Sequence, residues 1–99
     1  MDTTMRLEIQ KTGRRWHCTS IVTYPGWANE AITHSGQSTL ASVLWHKVGR
    51  CIELPAILES VTVNGKDMPL DEVWEIIHKA LAGGIMAYEL PKIKKLLEV

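Results

Sequence analysis

Apolar residues recur at every second position through Met5, Leu7 and Ile9, and at every third or fourth through Leu40, Val43, Leu44, Val48, Cys51 and Ile52. A period of two is that of a strand with one buried face, and a period near 3.6 that of a helix with one apolar stripe. A chain that passes from the first to the second has to cover a sheet with helices. The expectation is an α+β fold in one domain spanning residues 1–99. It holds a small antiparallel sheet of three to four strands in the order β-β-β-α-β-α, two main helices on one face and a short C-terminal helix.

The turn signals set the order. Thr12-Gly13 separates the first alternating run from Trp16–Tyr24, which is rich in aromatic and β-branched residues. A two-residue loop there puts Ile9 opposite Trp16, Leu7 opposite Cys18 and Glu8 opposite His17, with Leu7, Ile9, Trp16 and Cys18 turned to the core. Pro25-Gly26 ends the second strand, Trp27–Glu30 reads as a loop, and a short third strand lies near Ala31–His34. Ser38 or Thr39 then caps a helix over about 39–52, which Gly49 weakens. Leu58–Val63 reads as a fourth strand closed by Asn64-Gly65, a hairpin dipeptide. A second helix follows Pro69, with Leu70, Val73, Trp74, Ile77 and Leu81 inward, and Gly83-Gly84 stops it. Ile85–Leu90 suits strand or helix, while Pro91–Val99 carries Ile93, Leu96 and Leu97 on one side and reads as a short amphipathic helix, docked either on its own core or on a partner.

Ninety-nine residues, 45 % of them hydrophobic and 22 % charged, suffice for a core without staples. No apolar run is long enough to span a bilayer, and Met1–Met5 has neither the basic flank nor the apolar stretch of a secretory leader, so a cytoplasmic protein with no membrane partner is expected. In that reducing setting Cys18 and Cys51 are expected to stay as thiols.

Candidate chemistry is sparse. His17 and Cys18 are neighbours on a strand and point to opposite faces, His46 and His78 fall on the polar sides of their helices, and no Cys-x-x-Cys or His-Glu-x-x-His spacing occurs. Nor does any Gly-rich phosphate loop, so no metal, cofactor or catalytic residue is expected. A small thiol-dependent enzyme using Cys18 or Cys51 stands as a third reading, because a histidine partner distant in sequence can be adjacent in space.

Two surfaces remain. Lys11, Arg14 and Arg15 crowd the first hairpin tip, with Arg6 and His17 on the same outer face, a cluster suited to phosphates. The chain from Tyr24-Pro25-Gly26 through Ile32–Leu40 resembles the strand-to-helix junction of HicB-type antitoxins and of double-stranded-RNA-binding domains. The likeness covers less than a third of the chain, and Ser38-Thr39-Leu40-Ala41-Ser42 lacks the lysines that an RNA-binding helix start would carry. It implies a nucleic-acid-binding or antitoxin-like module as an alternative function. The other surface is aromatic. Four tryptophans in a chain without phenylalanine is a heavy load, and tryptophan is favoured at the centres of protein interfaces. Trp16 and Trp74 are assigned to the core, leaving Trp27 in its loop and Trp45 beside the helix stripe as protein-binding residues, with Arg14 and Arg15 as rim charges. The first expectation is therefore a non-enzymatic protein-interaction module, a small regulator or inhibitor. Homodimerisation fits the charge distribution: six Lys/Arg against three Asp/Glu in residues 1–50, five against eight in 51–99, and a net charge of zero.

Overall fold

The computed structural model describes residues 2–26, 30–37, 39–84 and 87–97, with the side chains of residues 30 and 32–37 excepted. Strands β1 (Thr4–Thr12), β2 (Arg15–Thr23) and β3 (Glu30–Gln37) come first, followed by helix α1 (Leu40–Glu53). Strands β4 (Ile57–Val63) and β5 (Lys66–Met68), helix α2 (Leu70–Leu81), a 3-10 turn at Ala87–Glu89 and helix α3 (Leu90–Leu97) complete the order. The α+β class, the small sheet and the helices against it match the sequence pattern.

The sheet departs from the expected all-antiparallel arrangement. Its five strands lie in the order β3-β2-β1-β4-β5, and the central pair β1–β4 is parallel. The reason is α1. Fourteen residues of helix rise about 21 Å, so α1 carries the chain from the end where β3 finishes back to the end where β1 begins. A helical return of this kind makes the next strand parallel to its neighbour, whereas the two-residue turns of β1–β2 and β4–β5 make those pairs antiparallel. The extra strand, β5, is the short return after Asn64-Gly65.

The first hairpin turns at Gly13-Arg14, one residue later than expected, so Ile9 pairs with Cys18, Leu7 with Ser20 and Glu8 with Thr19. Gly13 alone has positive φ in that turn, at 64°, the pattern of a type II′ hairpin. Because the pairing moved by two residues in total, every side chain kept its face. Met5, Leu7, Ile9, Cys18, Ser20 and Val22 are buried on one side, while Arg6, Glu8 and Gln10 are exposed on the other.

All three helices cover the buried face. Thr39 is the cap of α1, its hydroxyl accepting from the Ser42 N–H at 3.1 Å. The helix runs through Gly49 without a break and buries Val43, Leu44, Val48 and Cys51. From α2 come Val73 and Ile77, and from α3 Ile93 and Leu97, all in the same core. The C-terminal stripe is thus docked on its own domain; of the segment before it, Ala87–Glu89 form a 3-10 turn, and residues 85–86 lie outside the described residues. No helix among the described residues is long and apolar enough to cross a membrane.

Candidate interaction surface

Both hairpin turns of the sheet open at the same end, because β1 and β4 run parallel. Asn64, at φ 52°, and Gly65, at φ 81°, take the paired left-handed conformation of a type I′ turn, which asparagine and glycine adopt most readily. The Asn64 side chain then reaches across: its Oδ1 accepts from the Lys11 N–H at 3.0 Å. Its own N–H donates to the Ile9 carbonyl at 2.8 Å. These two bonds clamp the β4–β5 turn onto the end of β1.

The clamp sets Lys66 beside the tip formed by Lys11, Arg14 and Arg15, all four exposed. The Lys11 ammonium lies 5.5 Å from the ring centroid of half-buried Trp16. Lys66 belongs to this end of the sheet, yet it stands more than fifty residues from Lys11 in sequence. Nothing in the local pattern links the two; only the parallel register of β1 and β4 does.

Replacing Asn64 by alanine removes the accepted bond and leaves in a left-handed turn a residue without the short polar side chain that makes that conformation tolerable. It is expected to cost about 1–2 kcal/mol in chemical denaturation. A loss below about 0.5 kcal/mol, the range of an ordinary surface change, would mean that the turn is not held by this residue.

The open face of the sheet is mixed in charge. Arg6 pairs across the strands with Ile21 and Ser60. In the next row Glu8 pairs with Thr19 and Thr62, and Thr62 with Asp67. His17, half-buried, pairs with Gln10 on this face, and Cys18 beside it is turned into the core, as their adjacency on a strand requires. Arg6, Arg15 and His17 therefore lie on the open face, with Glu8 and Asp67 among them. Arg14 sits in the turn, and Lys11, expected on the same outer face, is in register with Trp16 on the helix-covered side because it falls an even number of residues from buried Ile9.

Trp45 lies elsewhere, on α1. It is half-buried; its indole Nε1–H donates to Glu89 Oε2 at 3.2 Å, and its ring sits 4.6 Å from that of His46. Its polar tip holds the 3-10 turn against α1, and the outer edge of the side chain is left at the surface. Trp27 lies outside the described residues. Trp74 is also half-buried, with His78 stacked at 5.1 Å. Both helix histidines lie on the exposed sides of their helices.

The reactive side chains are inside. Cys18 and Cys51 are free thiols, 1 % and 0 % exposed. Burial pushes the first up to about 11 and the second up to about 12, against the pull of the Lys47 ammonium. That is the direction opposite to an activated nucleophile. The Cys51 thiol donates to Met5 Sδ at 3.3 Å.

Lys47 itself is 5 % exposed, and desolvation lowers its pKa below the ordinary lysine value. By residue type it belongs to the polar side of α1, and the sequence pattern alone did not single it out. Its spacing, three after Leu44 and four before Cys51, places it within the apolar stripe.

No protein-family model, curated protein or solved structure matches this chain. The functional reading accordingly rests on the surface just described.

Proposed function

We propose that the chain is a non-enzymatic protein-interaction module, a small regulator or inhibitor that works by occupying the surface of another protein. The observation that carries the reading is the alternation of sign on the bare side of the sheet. Arg15 at the hairpin end gives way within two strand rows to Glu8 and Asp67, with Arg6 in the row beyond. Partners of mixed charge are matched by a mixed surface, and such matching sets register and excludes wrong partners. Trp45 contributes its exposed edge, and Trp27 remains a second candidate anchor. Arg14 and Arg15 supply rim charge. The cytoplasmic setting proposed with this function is supported by two thiols held unpaired in the core.

A nucleic-acid-binding or antitoxin-like role is the second reading, favoured by one specific feature, the joining of Lys66 to Lys11, Arg14 and Arg15. Four cations on one clamped end suit phosphates. The carboxylates of Glu8 and Asp67 weigh against a longer phosphate track across Arg6 and His17.

One binding experiment separates the two. The purified protein is used as bait at low and high salt, beside the variants Arg14→Glu/Arg15→Glu and Trp45→Ala. The proposed function predicts a protein partner whose capture falls at least about tenfold in the arginine variant, a loss of roughly 1.4 kcal/mol, and survives moderate salt. Retention of nucleic acid that collapses steeply with salt would transfer the function to the second reading. Capture unchanged in both variants, with the fold intact, would show that the surface has been assigned wrongly.

A further inference from the structure

The two edges of the sheet are unlike. An edge strand presents a row of N–H and C=O groups with no ladder partner, and proteins blunt such edges with short strands, lysine, proline or bulges. The β5 edge has most of these devices: three residues, Lys66 and Asp67 among them, and Pro69 just beyond. The β3 edge is eight residues long and carries no lysine, arginine or proline, and its one irregularity falls between His34 and Gln37, leaving Glu30–His34 without any of these devices. The helices lie on the sheet's face, and among the described residues no strand lies outside β3.

We infer that the β3 edge is a self-association surface, on which a second copy of this chain pairs antiparallel through its own β3. The register follows from the strand itself. A shift in the β2–β3 pairing, between Trp16 and Cys18, interrupts β3 beyond His34, leaving Glu30–His34 in unbroken register against Val22–Cys18. The midpoint of that run is Ile32. A two-fold axis there sets Ile32 level with its own copy, Ala31 with Thr33, and Glu30 with His34. Side chains alternate faces with a period of two, so this register keeps the two buried faces on one side and continues one sheet through both copies.

The partner is a second copy rather than an arbitrary strand for two reasons. The chain has no net charge, so copies carry no overall repulsion. Glu30 is the one formally charged residue of the run, and the antiparallel register sets it level with His34 instead of with another Glu30. Five residues a side make a small interface, so the dimer is weak and dissociates on dilution. The hairpin end is not used, and either the partner reading or this one can fail alone.

The test is light scattering coupled to size exclusion across a dilution series from millimolar to micromolar, with circular dichroism to check each fold. The wild type is expected to move from the mass of two chains to that of one. Ala31→Lys/Thr33→Lys, placed where Ala31 is exposed, is expected to stay monomeric throughout. So is Ala31→Glu/Thr33→Glu when measured alone. An equimolar mixture of the two variants is expected to regain the dimer, because positions 31 and 33 meet across the axis. A wild type monomeric at every concentration would overturn the inference, as would a dimer indifferent to the lysines or a mixture that stays monomeric.

Discussion

Ile93→Ala is expected to destabilise the fold by about 3 kcal/mol, within the range for deleting three buried carbons from a packed core. Ile93 is fully buried and Leu97 only 2 % exposed, although they belong to an eight-residue helix. A helix of that length does not persist in water without tertiary contacts, so α3 exists only because its apolar side completes the core under α1, α2 and β4. The Trp45–Glu89 bond fixes the chain just before it. Urea denaturation followed by circular dichroism measures the loss, and Lys92→Ala, exposed on the same helix, is the control at less than about 0.5 kcal/mol. If both variants unfold at the same denaturant concentration, α3 is not part of the cooperative unit. Its stripe would then be free for a partner.

Alkali is expected to unfold the protein through its thiols. Both cysteines are ordinarily at 9.0, but in the fold Cys18 is raised to about 11 and Cys51 to about 12. The unfolded chain therefore releases two protons that the native chain retains, and ionisation favours unfolding. The stability linked to these groups is present in full below pH 9 and is lost as the pH climbs toward the folded values. A tenfold difference in acidity between the native and unfolded thiol corresponds to about 1.4 kcal/mol, so the combined loss approaches about 5 kcal/mol at pH 11, a large part of a typical domain's stability.

Lys47 acts in the opposite sense. Its pKa is lowered, so the native state sheds a proton before the unfolded state does. Stability gained there as pH rises toward 10.5 offsets part of the thiol effect. Denaturant midpoints at pH 8 and near pH 10.5 give the slope. Cys18→Ala/Cys51→Ala is expected to flatten it or reverse it. An equal descent in the double variant would locate the alkaline sensitivity elsewhere.

What the sequence disclosed and what it withheld follow from range. The faces of β1 and β2, the cap at Thr39, the start of α2 after Pro69 and the hairpin at Asn64-Gly65 are local matters, written into period and turn chemistry. The parallel β1–β4 pair is not local. A residue in β1 carries no mark of a neighbour some fifty positions on, and the return path of α1 decides which end β4 starts from. The same long-range pairing brings Lys66 to the basic tip, so half of the candidate site was legible at Lys11–Arg15 and the rest was not. Lys47 was hidden for another reason: a charged residue type masks an angular position that lies inside the apolar stripe. Trp45 was located correctly beside the stripe, but its bond to Glu89 depends on where the tail folds back.

The parallel centre of the sheet also governs the order in which the chain can become compact. β1 is hydrogen-bonded on both sides, to β2 and to β4. During synthesis the first three strands leave the ribosome before α1 and β4, so the nascent meander holds β1 with one flank uncovered and its apolar face bare. Closing that flank means first closing a loop of about fifty residues, an entropic toll that only the later contacts of β4 and the helices reverse. An incomplete sheet is therefore expected to be exposed for the time it takes to translate the second half, an interval of vulnerability that belongs to biogenesis.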